Sequence, residues 1–312
     1  MIWLKINFFA VLALASGMLV AEPNLKKIFS VEFEPIREMS GIAKSKRYDD
    51  VYWVHNDSGD MPRVFAIDGE GKVIYPGWMN VYGELAVEGK QEWQGHSIKI
   101  AANIDWEDIA TDNEFIYIAE MGNNGNARRD LGVYVIPELN PRAVGETRAL
   151  KYLPIRFPDQ DNFPGERWHY DCESLFVFQD KLYFISKHRK PGEIAGYEKG
   201  AVLYRLDTQH TDKFNVLTRI EAHEAITLAT AADLSPDGTR LAVLSYQQLW
   251  IFDKPSRGDH FFSSTSHKLD LDYSVMGLSE AITWADDETI WIGNEGRSIY
   301  SIDANQVPVY KE

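Results

Sequence analysis

Cysteine is almost missing: Cys172 stands alone in 312 residues. No intramolecular disulfide can form, so the fold must rest on a packed core rather than on covalent staples. Basic residues are in short supply, with 32 Lys and Arg against 47 Asp and Glu and a net charge of −15. Such a surface argues against a nonspecific grip on nucleic acid or on an anionic membrane face, and it suits cationic ligands. No long stretch repeats its apolar residues with the 3.6 period of an amphipathic helix. Also missing are a P-loop, a dinucleotide fingerprint, a nucleophile elbow with a Ser-His-Asp order, and any His/Cys cluster at zinc spacing.

What is present begins with MIWLKINFFAVLALASGMLVA: Lys5, an apolar run of signal-peptide length, then small residues up to Ala21. This predicts a secretory signal over residues 1–21, cut before Glu22, with a membrane anchor as the alternative. The residue directly after the cut is Glu22 rather than Cys, so lipoprotein processing is not expected. Loss of Lys5 would take the net charge from −15 to −16. The mature chain, 22–312, is expected to be periplasmic or secreted, without membrane insertion. At about 290 residues it is long enough for a large core, and nine Trp and fifteen Tyr favour strands.

One pattern recurs five times. EMSGIAKSKRYDDVYWVHNDSGDMPRVFAID, DWEDIATDNEFIYIAEMGNNGNARRDLGVYVIP, DCESLFVFQDKLYFISKHR with GAVLYRLD, ATAADLSPDGTRLAVLSYQQLWIFD and SEAITWADDETIWIGNEGRSIYSID share a grammar. Each reads as a short strand, a turn, an aromatic strand, a polar bend and a third strand. Aligned, their heads are Ser40, Glu107, Glu173, Ala232 and Glu280, and their second strands end on Asn56, Glu120, Lys187, Tyr246 and Asn294. Repeated antiparallel sheets of this size predict an all-β fold, a five-bladed β-propeller forming a single domain. The 32 residues after Glu280 and the 18 mature residues before Ser40 together make one blade. IFSVEFE is therefore expected to close the ring as the outer strand of the last blade. A six-bladed ring, with VYGELAVEGKQEWQGHSIKI as part of an extra sheet, is the alternative to its reading as outer strand and loop.

In a propeller the first strand of each blade lines the central channel, so the heads converge. Side chains alternate along a strand, which puts Asp105 with Glu107 and Asp171 with Glu173, while Trp106 and Cys172 point into the packing between blades. Cys172 then reads as a buried small hydrophobe. Glu107, Glu173 and Glu280 would crowd the axis with Ser40, a repulsion relieved by protons or by a cation. Oxygen-only ligands favour Ca²⁺. The alternative is that each Glu caps backbone amides or pairs with a neighbouring Arg.

At these residues the chain resembles the calcium-activated nucleotidases (apyrases), secreted five-bladed propellers with one Ca²⁺ in the channel. The phrases EMSGIA and DWEDIA resemble those opening the blades of the SdiA-regulated propellers, and SGIAKSKRYDDVYWVHNDSGD is similar to a group of bacterial propeller proteins of no assigned activity. By position, the resemblance implies metal ligands at Ser40, Glu107, Glu173 and Glu280, and an acidic active-site residue at Asp57. Ala232 departs from it, where a hydroxyl residue is expected, and the later blades lack the longer nucleotidase signatures.

The bends after the second strands carry Arg63, Arg128, Arg129, Lys187, His188, Arg189, Lys190 and Arg297. With the strand ends Asn56 and Asn294, the residues Arg128, Arg129, Lys187 and Arg297 form an expected rim for a phosphate, sulfate or carboxylate ligand. These cations can equally balance the carboxylates below or be solvated. His188 and Asp57 are the catalytic candidates, His188 for its ordinary pKa and Asp57 for its place in HNDSGD. His188 is alternatively surface decoration, and the bend alternatively turn chemistry. Two functions follow. The first is a non-catalytic binding or scaffold module of the cell envelope around a structural ion. The second is a Ca²⁺-dependent hydrolase, nucleotidase- or phytase-like, of a phosphorylated or otherwise anionic small molecule.

Overall fold

The computed structural model describes residues 25–311, so the expected signal segment lies outside them. Among the described residues, helix is limited to one turn at Tyr273–Met276 and 3-10 turns at Phe261–Ser263 and Ala304–Gln306. None is long and apolar enough to cross a membrane. The rest is strand and turn. Aromatic and β-branched runs such as YWVHN, FIYIAE and TIWIGN supply the strands, and acidic or Gly-containing bends such as SPDG reverse the chain between them.

Five sheets make a five-bladed β-propeller. Blade 1 runs outward through Met39–Lys44, Tyr52–Asn56, Arg63–Ile67 and His96–Lys99. Blade 2 uses Trp106–Thr111, Phe115–Glu120, Gly132–Pro137 and Lys151–Arg156, and blade 3 Trp168–Phe178, Lys181–Lys190, Lys199–Arg205 and Thr218–Thr227. Blade 4 is Ala229–Leu234, Arg240–Ser245, Gln248–Asp253 and Ser266–Asp270. Blade 5 has Ser279–Trp284, Thr289–Asn294 and Ser298–Asp303, and its outer strand is Lys26–Ser30 from the other end of the chain. The expected ring closure is therefore present, two residues earlier than IFSVEFE begins. Its register pairs Lys26 with Ser301 and Ser30 with Ser298. Phe29 seals it edge-on against Trp291, with ring centroids 5.4 Å apart.

No sixth blade exists among the described residues. The insert after blade 1 makes a small ribbon of Asn80–Val81 with Glu92–Trp93 and then the outer strand His96–Lys99. Two outer edges are covered by short parallel strands lent from the next blade's sequence: Glu146–Arg148 lies on His96–Lys99, and Asn215–Val216 on Lys151–Arg156. Such covering blunts an exposed edge.

The core is five clusters, one in each cleft between blades. Consecutive residues serve opposite clefts: Val54 packs toward blade 5 and Trp53 toward blade 2. Leu241 and Val243 face blade 3 while Ala242 and Leu244 face blade 5. Both faces of each sheet are buried, which is why the inner strands read as unbroken apolar runs rather than alternating ones.

Each inner strand carries an extra residue at its head, a β-bulge, and that of blade 3 has a second between Trp168 and Asp171. The register jumps between Met39 and Ile42, Trp106 and Ile109, Cys172 and Ser174, Ala229 and Ala231, and Ser279 and Ala281. Bulges re-aim side chains. Ser40, Glu107, Glu173 and Glu280 all sit in them. In blade 4 the residue so placed is Thr230, whereas Ala232 lies two positions on and packs into the cluster with blade 3. The sequence alignment was out of register there, because the extra residue has no signature in ATAADLS. Blade 4 thus has a hydroxyl residue, Thr230, at the head position where the sequence alignment puts Ala232.

Candidate metal centre

The bulged heads lie at the same end of five inner strands that pack against one another around the axis. Two of them are stitches. The Ser40 hydroxyl donates to the Glu107 carbonyl at 2.9 Å, and the Thr230 hydroxyl to the Ser279 carbonyl at 2.8 Å. Each ties one blade to the next. Glu173 is instead neutralised in place, as the Arg-pairing alternative supposed. Lys187 bonds one of its oxygens and Arg189 donates to the other at 3.1 Å, while Arg189 also holds Asp171 at 2.6 Å. Lys187 is itself buried, 3.0 Å from the Tyr246 hydroxyl.

Glu107 and Glu280 are different. The Tyr246 hydroxyl donates to Glu280 Oε1 at 2.7 Å, and among the described residues no cation pairs with Glu280, which also interacts with the Glu295 carboxyl group. Among the described residues, no donor reaches the buried Glu107 carboxylate. Oxygens of Asp57, Asp105 and Glu107 lie within 4.8 Å of one another, and so do those of Glu107, Asp171 and Glu173. Glu107 belongs to both groups. Since Asp171 and Glu173 have their counter-charges, the uncompensated set is Asp57, Asp105 and Glu107, with Glu280 beside them.

Neighbouring backbone fixes this set. Glu120, buried and ion-paired with Arg128 at 2.8 Å, accepts the Ile104 and Asp105 amides at 2.9 and 3.0 Å. Asn103 Nδ2 donates to the Asp57 carbonyl at 2.8 Å, joining the bend of blade 1 to the head of blade 2. Gly122 leaves the room the carboxylates occupy: a Cβ there would stand 2.1 Å from Glu107 Oε1 and 2.3 Å from Asp105 Oδ2.

The electrostatics follow from burial among like charges. Glu107 is held well above the usual carboxylate range by burial first and then by Glu173, Asp171, Asp57 and Asp105. Burial and then the Glu280 charge push Asp57 up to about 7. Burial and Asp171 push Asp105 up to about 6, against the pull of Arg128. Glu295, next to Glu280, is raised to about 7 by burial and then by the Glu280 charge. A cation supplies the same relief that protons do.

The expected rim residues are mostly engaged elsewhere. Asn56 donates to the Pro35 carbonyl and Asp60, and Asn294 to the Met276 carbonyl, at 2.7–2.8 Å. Arg63 pairs with Asp60 at 2.7 Å, Arg128 with Glu120 and Asp130, and Lys190 with Glu193. Arg297 reaches the Phe33 carbonyl at 3.3 Å, and Arg129 lies over the Phe163 ring with 4.4 Å to its centroid. His188 is neither at the rim nor among the carboxylates. It follows Lys187 on a strand, so it points to the opposite face, where it stacks on His169 at 3.7 Å. The structure therefore brings Glu107 and Asp57 together, with Glu280 near enough to raise Asp57, and leaves Asp57 and His188 apart. Cys172 is buried between blades 2 and 3, its thiol pushed up by burial.

Three residues of the centre lie outside the expected site set. Asp105 carried a signal, since strand alternation already placed it beside Glu107. Gly122 carried none without coordinates. Asp108, also in the bulge of blade 2, is fully enclosed and accepts the amides of Ile109, Leu175 and Ala232 at 2.9, 2.7 and 3.2 Å. One carboxylate thus links three inner strands.

No protein-family model and no curated protein matches the chain. Solved structures do. A luciferin-regenerating enzyme is 10% identical over 93% of this chain and 79% of its own, with a TM-score of 0.46. A gluconolactonase from Xanthomonas campestris is 11% identical over 92% of this chain and 90% of its own, with a TM-score of 0.44. Likeness at this level carries no argument about chemistry.

Proposed function

We propose that the protein is an exported propeller that binds Ca²⁺ among Asp57, Asp105, Glu107 and Glu280, and serves as a Ca²⁺-dependent binding module of the cell envelope, periplasmic or secreted. The observation that carries this reading is the Glu107 carboxylate, buried beside Asp57 and Asp105 with no donor reaching it among the described residues. A donor set made only of oxygen suits a hard cation, and Ca²⁺ tolerates irregular coordination better than Mg²⁺ does. The reading shares its ion with the nucleotidase resemblance. It differs in the ligands, because Ser40 and Glu173 are committed to a carbonyl and to two cations.

Glu107 and Glu280 are buried while Asp57 and Asp105 are only half-buried, so an ion held here would keep one side toward solvent. An anionic small molecule or a carboxylate of an envelope partner fits that open side. The same open side supports the second reading, a Ca²⁺-dependent hydrolase of an anionic small molecule. We place it second because His188, the expected proton carrier, faces another part of blade 3.

Thermal melts of metal-stripped protein test the reading. At a free Ca²⁺ concentration a hundredfold above Kd, stabilisation should be about 2.7 kcal/mol. Glu107→Gln should remove most of it. Melting curves that are identical in Ca²⁺ and in chelator would reject the site.

A further inference from the structure

We infer that blade 3 carries a second binding site, for a sugar phosphate, in a cavity of about 480 Å³ that is lined by different residues from the axial carboxylates. Five charged side chains of both signs line it: Arg167, Lys199 and Arg219, with Asp159 and Glu224. Among the described residues none of the five side chains makes an ion pair with any other or a side-chain hydrogen bond. This contrasts with the bends of the axial rim, where Arg63, Arg128, Lys187 and Arg189 are paired with carboxylates. All five side chains are exposed, so their charged groups are open to a ligand in the cavity. The ligand they suit has an anionic end and hydroxyls.

The cations fit a phosphate. Arg167 and Arg219 can each offer two parallel N–H bonds, and Lys199 adds a compact charge. Asp159 and Glu224 accept, which suits sugar hydroxyls. Aromatic rings line the same cavity. The rings of His169 and His188 are stacked, with centroids 3.7 Å apart and planes within 2° of parallel, and Tyr170 and Tyr204 also line the cavity. The stack is held from both ends: His169 Nε2 meets Glu198 at 2.8 Å, and His188 Nε2 meets the Ser186 hydroxyl at 3.1 Å. His188 Nδ1 is buried against the Lys199–Gly200 backbone. Gly200, at φ +111, lets the chain pass this ring; a Cβ would stand 3.0 Å from that nitrogen. The volume lies within the range of small-molecule pockets.

Calorimetry with glucose 6-phosphate, inorganic phosphate and glucose, in Ca²⁺ and in chelator, tests the proposal. Glucose 6-phosphate should bind in both buffers, more tightly than phosphate, with glucose giving no signal at the same concentration. Arg167→Ala with Arg219→Ala should weaken it tenfold or more. Both side chains are exposed, so circular dichroism should stay unchanged. Glu107→Gln should leave this binding as it is. Three results would each overturn the proposal. These are no heat from any phosphate at millimolar concentration, full affinity in the double variant, or binding that requires Ca²⁺ or Glu107, which would assign the ligand to the axis.

Discussion

At the scale of single residues, two positions do work that their types alone do not announce. Gly122 is one. Its missing side chain is the space where Glu107 and Asp105 converge, and a methyl group there would stand 2.1 Å from the nearer carboxylate oxygen. Gly122→Ala should leave a folded propeller whose melting temperature no longer rises with Ca²⁺, as differential scanning fluorimetry can read. Asp108 is the other. Asp108→Asn would turn an amide NH₂ or an imperfect acceptor toward the amides of Leu175 and Ala232, which now share Oδ2. An unsatisfied buried donor costs about 1–3 kcal/mol, so urea unfolding should show a loss of at least that size. The sequence made Glu107 and Glu280 visible through repetition, and Asp105 through alternation. It hid Gly122 and Asp108, because what they touch comes from other strands.

At the scale of strands and sheets, five blades were legible because two landmarks recur at near-constant spacing in every copy. The bulges were not legible. An extra residue in an inner strand leaves hydrophobicity unchanged when both faces are buried, so nothing in ATAADLS distinguishes Thr230 from Ala232. The closing strand is the element with the clearest consequence. Removing residues 25–31 would strip the partner from Ser298–Asp303 and uncover Trp291. Unpaired edges template association, so sedimentation should show this truncation aggregating where the full chain does not. An outer strand supplies the pH dependence. His96 is buried, with Nδ1 2.9 Å from the Val144 carbonyl and Nε2 3.3 Å from that of Ile74. Burial outweighs both carbonyls and brings it from 6.5 down to about 4. The folded protein therefore takes up this proton later than the unfolded chain does. Its contribution is fully present above pH 6.5 and fades as pH falls toward 4. The slope cannot exceed about 1.4 kcal/mol per pH unit for one group. Denaturant melts of His96→Gln should show a shallower loss over that interval.

At the scale of the whole molecule, a chain of net charge −15 sets its acids to two uses. Some are matched by cations, as Asp171 and Glu173 are by Arg189 and Lys187. Others stand together at the axis without an ion-pair partner among the described residues, and the propeller geometry forces that meeting by bringing distant copies of one pattern to a common point. The central claim is that a Ca²⁺ ion belongs there. Anomalous diffraction from crystals grown in Ca²⁺, recorded at long wavelength, tests it most directly. The account predicts a peak bonded to oxygens of Asp57, Asp105 and Glu107, at the 2.3–2.6 Å typical of Ca²⁺. Crystals that show no anomalous density at the axis, with those carboxylates bonded only to water or protonated against one another, would contradict it.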